Sequence, residues 1–422
     1  MDLGPAGLKS VIMHILFLTD NFPPEVNAPA SRTFEHCREW VKAGHYVTVV
    51  TGVPNFPKGK VFDGYQNRLW QTETISGIRV IRVLTYVTAN EGVVKRSIDY
   101  LSYMFSGSLA GLLVRRVDLI VGTSPQFFTV CAAYIVSMIK GVPWVFELRD
   151  IWPESIRAVG ALKNGKALAL LEKVELFLYQ KAAVIVSVTH AFRTALIRRG
   201  VNGDKIHVVT NGVDTSYFLP RDKDEELLTK YSLKGKFVAG YIGTHGLAHA
   251  LDTLLDAAKA LKAAPDGDRF RIILIGDGAN KAALFQRAQA EELDNVIFID
   301  SVPKDHVTRY WSILDASIIH LKNDQLFTTV IPSKLFECMG MAIPVLHGVR
   351  GESAGIVELE DVGLLFEPEN PEALVNGIRR LADDRKLLAR FKANGPSSSK
   401  RYERSFLAHK MLRVLEEQVR ES

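Results

Sequence analysis

Cysteine is scarce in this chain. Cys37, Cys131 and Cys338 are spread too widely over 422 residues for a disulfide framework or a zinc site, which suits a reducing compartment. Long apolar runs are missing too, so no segment reads as a lone transmembrane helix. Residues 1–12 lack a signal-peptide layout, and Met13 is as good a start as Met1. No cluster of Lys and Arg with interleaved aromatics marks a nucleic-acid surface, so no nucleic-acid partner is expected. Two Asp-x-Asp patterns, Asp222-Lys223-Asp224 and Asp266-Gly267-Asp268, lie in polar turns rather than after an apolar strand. Solvated carboxylates are expected there, with no metal site and no cofactor. No pair of carboxylates stands out as nucleophile and acid.

What remains is ordinary folded protein, 47% hydrophobic and 23% charged, long enough for two domains. The net charge of +5 fits mild attraction to an anionic membrane surface. Within 97–114, Asp99 and several Ser and Tyr residues argue against a membrane span. The apolar positions Val94, Ile98, Leu101, Phe105, Leu109 and Leu112 recur at helical spacing, flanked by Lys95, Arg96, Arg115 and Arg116. This is a domain-packing helix or one lying on the inner membrane face.

Strand and helix patterns alternate along the chain. Strands are expected at His14–Thr19, Tyr46–Thr51, Ile78–Leu84, Asp118–Gly122, Trp144–Leu148, Val184–Val188 and His207–Thr210. After a polar stretch at 219–236, read as linker plus short helix, they resume at Phe237–Gly243, Arg271–Gly276, Val296–Ile299, Ala316–His320, Ile343–His347 and Gly363–Phe366. That alternation predicts an α/β protein with two Rossmann-like, doubly wound domains facing a cleft. The expected bounds are 13–215 and 236–398. A final segment, 399–422, supplies a helix that returns to the first domain.

Residues 328–346 carry the most chemistry. A turn through Ile331, Pro332 and Ser333 enters a short helix with Lys334 at its start and Glu337 one turn inside. A helix start and a lysine suit phosphate, and a carboxylate suits ribose hydroxyls; together they suit a nucleotide. Gly243, Thr244, His245 and Gly246 follow a strand and precede a helix from Ala250, with His249 beside it. Glycines there let a backbone approach phosphate, though the histidines also read as plain loop residues. Gly276-Asp277-Gly278 and Val302 sit at similar strand ends, where base contact and a tight turn are both open readings. Asn21 follows the first strand. Arg149, Asp150 and Glu154 crowd charges at the end of another, for structural pairing or for acceptor binding and proton handling.

Assembled, these residues resemble the retaining glycosyltransferases of family 4, which have the GT-B fold, over nearly the whole chain. Pro23-Pro24, Gly44-His45, Ile78-Arg79-Val80, Asn211-Gly212-Val213-Asp214, Gly276-Asp277-Gly278 and Pro344-Val345 stand at family landmarks. The runs 149–155 and 332–337 look most like the subgroup that transfers N-acetylfucosamine in O-antigen, a lipopolysaccharide component. The resemblance implies a UDP-sugar donor carrying L-FucNAc or another HexNAc. The acceptor would be polyprenyl-diphosphate-linked, and the protein cytoplasmic and peripheral on the inner membrane face. Carried over, Glu337 holds the ribose hydroxyls and the turn Ile331–Lys334 meets the diphosphate. The Gly243–Gly246 loop faces the phosphates, while Gly276, Asp277 and Val302 face uracil. Arg149 and Asp150 face the acceptor or reacting sugar, with Asn21 and Glu154 on the acceptor side.

Three positions depart from the family pattern: Thr329 replaces a usual glutamate, Thr244 an arginine and His249 a lysine. Lys334, with His249 as second candidate, is therefore expected to supply the missing countercharge. A nucleotide-sugar epimerase of the same architecture and a non-catalytic nucleotide-sugar-binding scaffold are the rival readings.

Overall fold

The computed structural model describes residues 12–25, 27–56, 59–88, 93–151, 165–303 and 305–421. Two compact units emerge. One runs to Thr210 and adds Ser405 onward; the other is Asn211–Arg404.

The first unit holds eight strands: β1 His14–Leu18, β2 Tyr46–Thr51, β3 Trp70–Ile75, β4 Ile78–Val83, β5 Leu119–Thr123, β6 Trp144–Leu148, β7 Val184–Ser187 and β8 Ile206–Val208. Their order is β3-β4-β2-β1-β5-β6-β7-β8, parallel except for β3 against β4. Central strands such as Ile15–Leu18 and Leu119–Val121 are buried on both faces, which is why they read as unbroken apolar runs. Strand β3 was not expected. Its sequence, Trp-Gln-Thr-Glu-Thr-Ile, is an exposed edge with little apolar content, paired through the Ser76-Gly77 turn.

Helix Ala28–Lys42 starts where Asn27 accepts the Ala30 N–H at 2.9 Å and Pro29 presets the first turn. Its Trp40 is buried and donates Nε1–H to the Ala408 carbonyl at 2.9 Å. That carbonyl belongs to the final helix, Arg404–Arg420, whose Leu407, Met411 and Leu415 join the core around Trp40.

Of the two readings of the 97–114 stripe, helix Val93–Leu113 speaks against domain packing, although Leu112 does pack on the core. The stripe of Ile98, Leu101, Phe105 and Leu109 points outward and continues to Leu113; Phe105 is 70% exposed. The inward face is Tyr103, Gly107, Ala110 and Gly111. Its small residues let the helix lie close: a Cβ at Gly111 would stand 3.1 Å from Val136. No helix among the described residues is long and apolar enough to cross a membrane.

The second unit holds β9 Phe237–Ile242, β10 Phe270–Ile275, β11 Val296–Ile299, β12 Ala316–His320, β13 Val345–Gly348 and β14 Gly363–Leu365. The parallel order is β11-β10-β9-β12-β13-β14. Here the expected bounds shift. Residues 211–235 belong to this unit, because Phe218, Leu227, Leu228 and Leu233 are buried in its core. Several of the charges that make 219–236 look like a linker are spent in ion pairs. Asp224 caps the Leu227 N–H at 3.0 Å and pairs with Arg309 at 2.6 Å, and Lys223 pairs with Asp315 at 2.7 Å. Residues 399–404 also stay here: Val213 donates to the Tyr402 carbonyl at 2.8 Å, and Arg404 donates to that of Val213 at 3.0 Å. Asp266 and Asp268, expected to be simply solvated, pair with Arg379 at 2.7 Å and with Arg271 at 2.9 Å.

Candidate active site

In the second unit the strand order reverses between β9 and β12, and in open parallel sheets ligands bind at the carboxyl ends beside such a switch. The loop leaving β9 carries Gly243, Thr244, His245 and Gly246. It is braced by the neighbouring loops. Gly243 donates N–H to the Ile275 carbonyl and His245 to that of Asp277, both at 2.8 Å. Lys322, after β12, donates to the Ala248 carbonyl at 2.9 Å. Gly276 is needed because a Cβ there would stand 1.9 Å from the Gly243 carbonyl oxygen, with φ at 143°. The Gly276-Asp277-Gly278 turn thus has a structural duty whatever it binds. The helix expected from Ala250 begins at Asp252, after Ala250 takes a left-handed φ of 44°.

Lys334 reaches across this loop. Its Nζ lies 4.3 Å from the Tyr241 ring centroid and donates to Tyr241 Oη at 3.3 Å; that hydroxyl donates on to the Thr244 carbonyl at 2.8 Å. A Cβ on Gly243 would stand 1.9 Å from Nζ, so the glycine is what admits the lysine. Burial pushes the Lys334 ammonium down to about 8, with Glu337 acting against that shift. Tyr241 escaped sequence reading because, two residues before Gly243 in an apolar strand, it passes for core.

The helix Lys334–Gly340 is only seven residues, so its dipole is a weaker anion attractant than the layout suggested. The Lys334 charge is the stronger feature. The backbone N–H groups of Ser333 and Lys334 have no acceptor among the described residues. Pro332 and Ser333 are partly buried, Ile331 is core, and Val302 packs against the same core from the end of β11.

The two histidines differ from expectation and from each other. His245 is fully buried, and its ring nitrogens make no hydrogen bond of ordinary geometry. It holds the loop through its backbone, its carbonyl accepting from Asn280 at 2.9 Å. His249 is only partly buried, 5.7 Å from the Tyr241 ring centroid. Burial first, and Lys334 among other charges, push both imidazoles down to about 4. His249 is therefore neutral at pH 7, and Lys334 is the cation of this cluster.

In the first unit, the end of β6 places Arg149 and Asp150. Their backbone N–H groups both donate to Ser124 Oγ, at 2.8 and 3.2 Å. The Arg149 guanidinium donates to the Pro29 carbonyl at 3.2 Å and does not pair with Asp150. Burial lowers Arg149 to about 10. Asn21 accepts from Asn27 Nδ2 at 2.6 Å, after β1. Glu154 lies outside the described residues. Sequence reading missed the partners of Arg149's neighbourhood: Arg32 Nε donates to buried Glu147 at 2.9 Å, across 115 residues of chain.

Asp20 was also missed. Burial, then Asp99 and Glu25, push its carboxyl from 3.8 up to about 8. The folded chain therefore holds a proton that the unfolded chain releases between those values, and stability falls as pH rises through that window. Asp20→Asn is expected to raise the melting temperature more at pH 8.5 than at pH 5, within roughly the few degrees that a ~1 kcal/mol change brings. Equal shifts at both pH values in a thermal-melt series would refute the carboxyl's raised pKa.

Comparison with known proteins agrees with these two units. Residues 223–398 match the model described as "Glycosyl transferases group 1", and residues 27–212 match "Glycosyl transferase 4-like domain". The protein assigned as colanic acid biosynthesis glycosyl transferase WcaI of Escherichia coli K12 is 24% identical over 381 residues, spanning 87% of this chain and 92% of that protein. A GDP-mannose-dependent alpha-mannosyltransferase of Mycobacterium tuberculosis is 21% identical, over 86% of this chain and 88% of its own. Among solved structures, a sucrose-phosphate synthase of Thermosynechococcus elongatus superposes with a TM-score of 0.77 at 16% identity, over 97% and 100% of the two chains. HepE of Anabaena, in complex with UDP, gives 0.67 at 17% identity, over 96% and 99%. The fold and the matched domains define a glycosyltransferase of the GT-B type. Within that class the chain belongs, in the broad sense, to family 4.

Proposed function

We propose that this enzyme transfers a sugar from a UDP-sugar to a hydroxyl of a lipid-linked saccharide, with retention, in surface polysaccharide synthesis. An N-acetylated deoxyhexosamine such as L-FucNAc is the donor sugar proposed. The observation that carries this reading is the Lys334 ammonium, held between Tyr241 and Gly243 at the switch-point strand, one turn from Glu337. In such a transfer the bond from the anomeric carbon to the β-phosphate oxygen breaks and a bond to the acceptor oxygen forms on the same face. The acceptor proton passes to the departing phosphate. Charge grows on the diphosphate, and Lys334 is the group that answers it. Glu337 accepts from the ribose hydroxyls, and Gly276 and Val302 border the base.

WcaI is named for colanic acid synthesis, and HepE was solved with UDP; both names support the reading. The exposed stripe from Ile98 to Leu113, with exposed Lys95, Arg96, Arg115 and Arg116, supports a peripheral site on an anionic inner membrane face. Leaving such a Leu or Phe in water forgoes about 1.5–3 kcal/mol each, a cost a soluble surface gains nothing from.

The test is nucleotide release. UDP-N-acetylhexosamines and GDP-mannose are incubated with the enzyme, with and without a polyprenyl-diphosphate sugar. Acceptor-dependent UDP release is expected. Release from GDP-mannose alone would overturn the UDP assignment, and an epimerised donor without acceptor would overturn transfer.

A further inference from the structure

Two runs, Gly44-His45 and Ile78-Arg79-Val80, have no part in the sugar-transfer chemistry above. They meet at the amino ends of β2 and β4, beside that of β1, the end of the sheet away from Asn21 and Arg149. A groove of about 470 Å³ lies there, the size of a small-ligand site. His14, Gly44, His45, Tyr46, Thr48 and Arg79 line it. It is open to solvent: Tyr46 is 70% exposed, and a Cβ on Gly44 would meet nothing within 4 Å. The strand register explains why the polar side chains converge. His14, Thr48 and Arg79 stand two residues before the core residues Leu16, Val50 and Ile81, so all three share one face of the sheet. Thr48 pairs in register with Arg79, and His14 Nε2 lies 2.8 Å from Thr48 Oγ1.

The charge in this groove is unbalanced. The Arg79 guanidinium has no hydrogen bond or ion pair among the described residues. Arg82, on the same strand, is the contrast: Glu73 and the carbonyls of Gly52 and Pro23 hold its guanidinium. No carboxylate lines the groove. Asp118 accepts the His14 backbone N–H at 2.7 Å, and Glu416 stands 3.6 Å from His45 Nε2, both outside the lining. A second observation concerns Thr48, 1% exposed. His14 Nδ1 lies 3.0 Å from the Arg116 carbonyl, which can only accept, so Nδ1 carries the hydrogen. Nε2 of the neutral ring then accepts from Thr48, whose oxygen keeps lone pairs for a donor in the groove. An unpaired guanidinium calls for an anion, and the Thr48 oxygen calls for a hydroxyl. A phosphate ester that carries hydroxyls has both, and the planar guanidinium matches two phosphate oxygens. The exposed Tyr46 ring adds a wall with an apolar body and a polar tip.

We propose that this groove is a second ligand site, apart from the donor site, that binds a phosphate ester with neighbouring hydroxyls through Arg79, Thr48 and Tyr46. A soluble sugar phosphate and the headgroup of a glycerol phospholipid share this chemistry. The lipid source fits the exposed stripe, because Arg116, whose carbonyl holds His14, follows Leu113 by three positions. Naming that source rests on the membrane reading; the site itself does not.

The test uses the full chain saturated with UDP, so that donor-phosphate groups are occupied. Glucose 6-phosphate is titrated by calorimetry, and phosphatidylcholine vesicles with and without phosphatidylglycerol by sedimentation. Glucose 6-phosphate binding at one site assigns the soluble source, and a gain in vesicle binding from phosphatidylglycerol assigns the lipid source; either supports the site. Arg79→Gln is expected to weaken that binding about tenfold, the scale of one hydrogen bond to a charged group, with UDP affinity unchanged. Tyr46→Ala, at an exposed position, should weaken it too, and it stands in if Arg79→Gln folds poorly. Lys173→Gln removes an equal charge from helix Gly165–Lys181, outside the groove, and is expected to cost less. Binding of neither probe, binding unchanged in both groove variants, or equal losses in Lys173→Gln and Arg79→Gln would overturn the site. So would a loss of UDP affinity in Arg79→Gln. Inorganic phosphate binding as tightly as glucose 6-phosphate would overturn the ester assignment. Ester binding by a chain that transfers no sugar would leave the site standing and defeat the transferase reading, so the two failures are distinct.

Discussion

Lys334→Ala lowers sugar-transfer turnover by about 10²–10³, the usual cost of losing one preorganised group that meets charge developing in a transition state. The loss is expected in turnover rather than in folding. Burial holds the ammonium at a disadvantage, its pKa depressed from 10.5 to about 8. A base depressed in this way is protonated in the unfolded chain and not in the folded one between those two values. Stability therefore rises with pH across that window, and the alanine variant loses this slope. Bound diphosphate favours the ammonium, so UDP affinity in the parent declines as pH rises above about 8. In the variant that decline disappears. Steady-state UDP release and calorimetry at pH 7 to 9.5 check both statements. Near-normal turnover in a folded Lys334→Ala protein would remove Lys334 from its role, and attention would pass to His249.

The largest loss of stability is expected from Glu147→Ala, roughly 3–5 kcal/mol, as for breaking a buried ion pair from one side. Burial alone would raise the Glu147 carboxyl; Arg32 first and then Arg149 hold it below the usual range instead. Arg32 is 7% exposed and Glu147 1%, so removal of the carboxylate strands a guanidinium that cannot reach water. The same arginine ties helix Ala28–Lys42 to β6 and to the carbonyls after β8, so three elements loosen together. Replacing both partners, Arg32→Met with Glu147→Leu, is expected to cost less than Glu147→Ala alone, because no buried charge is left over. Urea unfolding of the single and double variants measures this. A double variant that loses the sum of its parts would show that the pair does not act as a unit.

The alternation of strands and helices was legible because central strands buried on both faces must be apolar throughout, and crossover helices must separate parallel strands. Strand β3 was not legible. An exposed edge needs few apolar residues, and its pairing is set by a turn. The polar 219–236 segment misled for the opposite reason: its charges are neutralised by Arg309 and Asp315, about ninety positions away, while its leucines enter the core. Sequence distance hid the partners. The stripe on helix Val93–Leu113 left two readings open because periodicity reports that a face is apolar, not which way it points. Gly107, Ala110 and Gly111 supplied the inward face through close approach rather than hydrophobicity.

The sequence by itself determined the fold class, the family and the cluster of Lys334, Glu337 and the Gly243 loop, because each rests on local order: a strand, a glycine turn and a helix start. Tertiary structure alone decided how those residues act. It set Lys334 against Tyr241, ninety-three positions apart, and turned His245 inward while leaving His249 partly open. It also spent Arg32 on Glu147 and set the Arg149 guanidinium against the Pro29 carbonyl. Charge and burial are properties of neighbourhoods, and those neighbourhoods exist only once distant strands lie side by side.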